Sequence, residues 1–260
     1  VILGSGDIGL IMARRMTLEG AKVLACVEVM PFSGGLTRNI VQCLEDFDIP
    51  LYLSHTITDI IGKDRVEKVI VSRVDENRRP IKGTEMEFDC DTVLLSVGLI
   101  PENELTRAAG IEMDPRTGGA VVFENNETDT EGIFACGNAV HVHDLVDYVT
   151  EESTRAGEAA AEYIKNGEKS GRLIELKNGA GVTYTVPQKI RVEENKKYGV
   201  FFRVNRVMKK SRIKVVSDGN VLASFSREHM APGEMERIDI PAILLNKAGN
   251  TVTVETEAEE

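Results

Sequence analysis

Apolar residues open the chain as a short run, Val1-Ile2-Leu3, which stops at glycine. A helical pattern over 10–19 follows and ends at Gly20, and a second apolar run from Lys22 to Val27 ends on Glu28. Leu36, Ile40, Val41, Leu44 and Phe47 then recur at helical spacing, and residues 49–53 read as a short strand. Three extended runs, 56–61, 66–74 and 81–88, are separated by polar turns and predict an antiparallel meander. Residues 91–98 read as a buried strand that runs into Gly98. A short helix is expected over 104–109, with Gly110 ending it, and extended chain over 111–123. Thr128 to Ala139 read as a turn, a short apolar strand, and Gly137-Asn138 at that strand's C-terminal end. A long helix is expected from Asp147 to Lys165, with Gly167 as its cap. Residues 169–180 are polar and glycine-containing and read as a linker. Beyond them, extended runs near 182–192, 198–207, 212–217, 221–226, 235–245 and 251–257 suggest a small β-sandwich. Residues 255–260 read as an acidic frayed tail.

The first thirty residues carry chemistry as well as pattern. Strand, G-x-G-x-x-G, helix, second strand and acid follow one another, with Gly4, Gly6 and Gly9 in the glycine places. Glu28 comes about 20 residues after the last glycine, as a ribose-binding carboxylate would. Gly4 permits a tight turn, Gly6 lets a pyrophosphate approach the backbone, and Gly9 lets the helix pack close to the sheet. The pyrophosphate would sit on the free N–H groups at the helix N-terminus, so Asp7 and Ile8 join the three glycines as candidate binding residues. Glu28 would accept hydrogen bonds from both ribose hydroxyls. A 2′-phosphate there would meet a like charge, which favours NAD(H) over NADP(H). The competing reading is a glycine-rich turn in an ordinary βαβ unit, with Glu28 at a solvated strand end.

Bulk properties change this picture little. The length of 260 residues favours two domains, and 42% hydrophobic with 28% charged residues is ordinary for a globular protein. The net charge of −11 argues against nucleic acid as a partner. Arg203, Arg206, Lys209, Lys210, Arg212 and Lys214 are a local basic cluster, read as a solvated hairpin face with an anion or protein-docking patch as the alternative. No run reaches the ~20 apolar residues of a membrane span. The four cysteines, Cys26, Cys43, Cys90 and Cys136, are widely spaced without a C-x-x-C, which points to a reducing compartment and a cytoplasmic location. His141 and His143 are the only close histidine pair. They read as part of a polar loop before a helix, with proton carriers or a partner surface as the alternatives. No catalytic side chain and no metal ligand set is expected. Val1 begins inside a strand without an initiator Met, as the start of a domain cut from a longer chain would.

Taken together, the glycine motif with its acid, the meander, Ser96-Val97-Gly98-Leu99-Ile100-Pro101-Glu102-Asn103 and Thr130-Glu131-Gly132-Ile133-Phe134-Ala135-Cys136-Gly137-Asn138 resemble the FAD-dependent pyridine nucleotide-disulfide oxidoreductases, from their NAD domain onward. The resemblance spans roughly residues 1–166. It implies an α/β fold: a Rossmann-like, three-layer ββα NAD-binding domain over 1–105, and the C-terminal part of an FAD domain over 106–168. The linker would be 169–180 and the sandwich 181–260. It implies NAD(H) and FAD as cofactors, with Val97 and Gly98 beside the nicotinamide end and Gly137 and Asn138 on the flavin. The helix near Asp147 would point its N-terminus at the flavin. Asn138 stands where the family has Asp, the first half of the FAD domain is missing, and no redox cysteine pair is present. Electrons would therefore pass to a partner or substrate and not to an internal disulfide. The stretch from Gly137 to Asp147 is similar to a subgroup associated with glycerol 3-phosphate and opine dehydrogenases, which implies a companion dehydrogenase or electron-transfer subunit. A non-catalytic nucleotide-binding or docking module is the alternative function.

Overall fold

A computed structural model describes residues 1–167 and 169–258. It has two compact units, Val1–Gly98 and a second that begins at Leu99.

In the first unit β1 (Ile2–Leu3), α1 (Asp7–Leu18), β2 (Cys26–Glu28), α2 (Thr37–Cys43) and β3 (Leu51–Leu53) alternate. β4 (His55–Ile61), β5 (Lys68–Arg73) and β6 (Met86–Asp89) follow, and β7 (Leu94–Leu95) returns to the first sheet. That sheet is parallel, in the order β3-β2-β1-β7, with Ile2 opposite Cys26 on one side and Leu94 on the other. β4, β5 and β6 form the antiparallel meander. Side chains alternate across a strand, so neighbours go to opposite faces. Ile2 and Cys26 join Leu10, Ala13, Cys43 and Leu44 beneath the helices, while Val1, Ala25 and Val27 pack with Val69 and Val71 of the meander. The result is three layers of helix, parallel sheet and meander, as expected. The strand foreseen over 91–98 shrinks to Leu94–Leu95 at the sheet edge, and it is not buried: Leu95 and Val97 are 70% and 68% exposed.

The second unit opens with α3 (Glu104–Ala108) and leads through irregular chain to α4 (Val146–Asn166). The strands expected within 111–123 and at 133–136 are only isolated bridges, such as Met113 with Ala120 and Glu127 with Phe134. Side chains take over the backbone pairing there. Asn103 Nδ2 donates to the carbonyls of Gly118 and Ala139 at 3.1 and 2.8 Å, and Asn126 Nδ2 donates to that of Ala135 at 2.9 Å.

The remainder is β8 (Arg172–Asn178), β9 (Val182–Val186), β10 (Lys189–Val192), β11 (Lys197–Val204), β12 (Met208–Ser217), β13 (Asn220–Met230), β14 (Glu236–Pro241), α5 (Ala242–Leu245) and β15 (Thr251–Ala258). Sheets of order β10-β8-β15-β12-β13 and β14-β11-β9 share one core, in which Ile174, Ile190, Ile213 and Val254 meet Val200, Phe202, Ile238 and Ile240. Three expectations are corrected here. Residues 172–178 are not linker but β8, because Ile174 and Leu176 alternate inward while Glu175 and Lys177 make the segment read as polar. Residues 242–245 are helical, not extended. The expected tail is strand through Ala258, with Thr256 buried; residues 259 and 260 lie outside the described residues. The first compact unit ends at Gly98, and residues from 106 to 167 share the second with the sandwich. Among the described residues no helix is long and apolar enough to cross a membrane.

Candidate functional site

Each motif glycine meets a different constraint. Gly4 has φ +99°, and a Cβ there would lie 1.9 Å from the Ser96 carbonyl oxygen. A Cβ on Gly9 would meet the Gly4 carbonyl at 2.6 Å and the Ser96 side chain at 2.9 Å, which fixes α1 against the strand ends. Gly6 is the helix N-cap residue, with φ −66° and ψ 163°, and a Cβ there would meet nothing within 4 Å. No side chain caps α1. Leu10 N–H makes the first intrahelical bond, to Gly6, so the N–H groups of Asp7, Ile8 and Gly9 precede the ladder. The open surface over Gly6 therefore adjoins the positive end of a helix, the arrangement that binds phosphate groups.

The acid and the loop after it complete the turn. Glu28 is buried, which excludes the solvated strand end. Its Oε2 accepts from the Ser5 N–H at 3.0 Å and the Ser5 hydroxyl at 2.6 Å, and its Oε1 accepts from the Met30 N–H at 2.9 Å. A carboxylate has about four acceptor positions, so capacity for a ribose hydroxyl remains. Asp7 faces inward: its Oδ1 accepts from Leu36 N–H at 2.8 Å and Asn39 Nδ2 at 2.7 Å. Ile8 is 64% exposed on the first turn of α1. The loop from Ser33 to Gly35 closes on the motif, with the Ser33 hydroxyl donating to the Ser5 carbonyl and the Gly34 N–H donating to Ser5 Oγ, both at 3.0 Å. Sequence reasoning missed Ser5 and this loop as parts of the site. The Ser33-Gly34-Gly35 string after the acid was the available signal.

Val97 and Gly98 end the unit in the open. Gly98 has φ +105° and nothing within 4 Å of an added Cβ. Cys26 is buried beneath Gly4, and its thiol donates to the Gly4 carbonyl at 3.6 Å. Burial pushes that thiol up to about 12, with the Glu28 charge adding to the effect.

The second constellation lies around Gly137. Gly137 is buried at φ +67°, and its N–H donates to Glu152 Oε2 at 2.5 Å. Asn138 is exposed, and its Oδ1 accepts from the His143 N–H at 3.1 Å. The polar loop expected at His141 and His143 carries a buried cluster, with the imidazole side chains 1% and 0% exposed and Glu152 1% exposed. The ring centroids are 4.2 Å apart, and the rings pack near Phe201 at 5.8 and 6.0 Å. His143 Nε2 lies 3.0 Å from Glu152 Oε2 and His141 Nε2 lies 3.5 Å from Oε1. Burial pushes the His141 imidazole down, toward its neutral form, against the opposing pull of Glu152. Burial also works to raise the Glu152 carboxyl, but the bonds and charges of the two imidazoles outweigh it and hold the group below the usual carboxylate range. The segment is a loop before α4, as expected, but Phe201 and Tyr184 of the sandwich cover its two imidazoles. Glu152, on the second turn of α4, had no signal in the sequence.

The basic cluster also divides. Arg203, expected on a solvated face, is 16% exposed; it pairs with Asp144 and its Nε donates to the Tyr184 hydroxyl at 3.1 Å. Arg206, Lys209 and Lys210 are exposed.

Residues 1–160 match the description of the pyridine nucleotide-disulphide oxidoreductase family, which is more than half of the chain. The chain belongs to that family. It is 30% identical over 184 residues to an NADH oxidase of Methanocaldococcus jannaschii, which covers 66% of this chain and 36% of that protein. It is 24% identical over 232 residues to an NADH oxidase of Streptococcus pyogenes, which covers 84% of this chain and 48% of that protein. Among solved structures, the thioredoxin reductase of T. acidophilum superposes with a TM-score of 0.54 at 25% identity, covering 63% of this chain and 52% of that one. The chain thus spans about a third to a half of the length of these curated relatives.

Proposed function

We propose that the chain binds NAD(H) and contributes to flavin binding in an oxidoreductase that passes a hydride between nicotinamide and FAD. The observation that carries this reading is the first turn: Gly6 has open space above it, at the N-terminus of α1, next to the buried Glu28. In this reading Gly4, Gly6, Asp7, Ile8 and Gly9 form the pyrophosphate turn and Glu28 takes the adenosine ribose. Gly4 and Gly9 shape that turn, and the inward-facing Asp7 contributes its backbone N–H while its carboxylate holds the loop. Val97 and Gly98 leave room at the nicotinamide end. Residues 1–105 would be the nicotinamide domain and 106–168 the C-terminal part of a flavin domain, with Gly137 and Asn138 on the flavin. The exposed Asn138 carboxamide and the unoccluded first turn of α4 fit that role. Bound FAD would supply the hydride acceptor and the visible signal of reduction. The protein's part is orientation: Glu152 and His143 fix the backbone of the Gly137 loop and Asn138.

Relatives named NADH oxidase support the nicotinamide half of this reading. The four cysteines are free and include no C-x-x-C, which supports electron exchange with a separate partner or substrate. A companion dehydrogenase of the glycerol 3-phosphate or opine class is the partner that the 137–147 stretch suggests, in a reducing, cytoplasmic setting.

Equilibrium titration with NADH, followed by cofactor fluorescence, tests the site. Wild-type chain should bind saturably, and NADPH more weakly. Gly6→Ala should weaken NADH by at least about tenfold without changing the unfolding midpoint, since its methyl meets no protein atom. Absence of saturable NADH binding by the wild-type chain would end the reading. Binding without NADH-dependent bleaching of flavin in the native protein would favour the non-catalytic nucleotide-binding module instead.

A further inference from the structure

The buried cluster at His141, His143 and Glu152 is underpaired for its depth. His141 Nδ1 and His143 Nδ1 have no hydrogen-bond partner and no exposure to water, and the equally buried His141 Nε2 and Glu152 Oε1 meet each other only at a loose 3.5 Å. Buried polar atoms are nearly always paired, and leaving one unpaired is costly. The loose pair between His141 Nε2 and Glu152 Oε1 has the spacing of two donors that share an ion. One ligand atom from each of the three residues lies within 4.8 Å of the others. Tetrahedral donors around a first-row ion, at ~2.0–2.2 Å from it, are about 3.4 Å apart. The His141 Nε2 to Glu152 Oε1 distance of 3.5 Å matches that spacing, and His143 Nε2, 3.0 Å from Oε2, would exchange its hydrogen bond for the ion.

We propose that His141 Nε2, His143 Nε2 and the Glu152 carboxylate bind a divalent first-row transition ion. Two imidazole nitrogens and one carboxylate are the donor set of zinc and ferrous sites, and a poor set for magnesium or calcium, which take oxygen ligands. Two contacts hold the carboxylate and the His143 backbone, while the ring Nδ1 atoms have none. Gly137 N–H holds Glu152 Oε2, and the Asn138 side chain holds the His143 backbone. Arg155 Nη2 stands 3.7 Å from Glu152 Oε1, but its Nε is bonded to Asn126 Oδ1 at 2.8 Å, which keeps the guanidinium to one side of the cluster. Arg203, the other nearby cation, is neutralised by Asp144. The ion would tie the Gly137 loop to α4 beneath the rings of Phe201 and Tyr184, and no step of hydride transfer would need it.

The test is metal analysis of the 260-residue chain purified without chelator, then titration of the stripped chain with Co(II) and Zn(II). Expected are close to one equivalent of metal per chain, a visible cobalt spectrum of low-coordinate type, and a thermal midpoint that rises with zinc concentration. His141→Gln and His143→Gln should each lower zinc affinity by at least about tenfold, since even outer partners of ligands cost that much. The double substitution of the remaining histidines, His55→Gln with His229→Gln, should leave affinity unchanged. Wild-type chain that holds no metal and gives no cobalt spectrum overturns the proposal, as does binding that survives in the 141 and 143 variants. Should those variants fail to fold, imidazole nitrogen chemical shifts of the zinc-supplemented wild type decide. Metal-bound Nε2 atoms support the site, and Nε2–H protons on both rings show that protons occupy the cluster.

Discussion

At the scale of single residues, the same amino acid does opposite things two positions apart. Gly4 is needed by the protein itself, whereas Gly6 has no protein atom to avoid. Gly4→Ala places a methyl 1.9 Å from a backbone oxygen at a φ of +99°, so neither rotation nor a side-chain shift relieves it. We expect a loss of at least about 3 kcal/mol in denaturant unfolding of the first unit. A change below 1 kcal/mol would show that the turn relaxes freely. Cys26 gives a chemical counterpart. With its thiol pushed up to about 12, almost no thiolate exists near neutrality, and it is the thiolate that reacts. Iodoacetamide at pH 7.5 should leave Cys26 unmodified in the native chain and alkylate it after unfolding, as peptide mass analysis can read. Native-state alkylation would mean that the β2 surface opens to solvent.

At the scale of elements, Asp7 shows how a helix and the loop after the next strand are joined. Its Oδ1 takes the Leu36 N–H and the Asn39 amide, so α1 holds the start of α2. Asp7→Ala leaves a half-buried backbone donor and a buried amide without acceptor, and should cost about 2 kcal/mol. Asp7→Asn keeps an acceptor oxygen and should cost less. Amide exchange at Leu36 should quicken in the alanine variant, and unchanged protection there would refute the clamp. This link was invisible in the sequence because it depends on a fold-over of some thirty residues, whereas the motif itself was readable because its parts are local. The meander and α4 were equally legible, since period-2 and period-3.6 patterns lie on the surface of the text. What failed were elements whose partners are side chains or distant strands. Residues 111–123 and 133–136 read as extended, yet Asn103 and Asn126 amides replace the ladder. β8 looked like linker because its outward residues are charged while Ile174 and Leu176 point inward. The burial of His141 and His143 was not legible in their polar loop because Glu152, Tyr184 and Phe201 reach them from positions that sequence spacing does not connect.

At the scale of the whole chain, the second unit is compact despite its two textures. Ile111, Ala120, Val122 and Val140 share a buried cluster with Tyr184 and Val186 of β9. Phe123 bridges to Lys189 of β10. Arg191, nearly buried, pairs through Nη1 with Glu127 Oε2 at 2.7 Å and stacks 4.0 Å over the Phe123 ring. Lys169 pairs with Glu124 at 2.8 Å and also with Glu193. A chain cut before Lys169 would strip the cover from an apolar cluster and remove the cations that pair with Glu124 and Glu127. Breaking a buried pair by removing one partner costs about 3–5 kcal/mol, a large part of a typical domain's stability. We therefore expect residues 99–260 to fold as an isolated piece, with dispersed amide proton resonances, and residues 99–168 to remain unfolded under the same conditions. Arg191→Ala should destabilise the 99–260 piece by about 3 kcal/mol or more, because it leaves Glu127 charged and buried and removes the cover from Phe123. Independent folding of 99–168 would mean that the sandwich is an appendage; its failure, with Arg191 as the sensitive contact, would mean that the sandwich completes the core beneath the Gly137 loop.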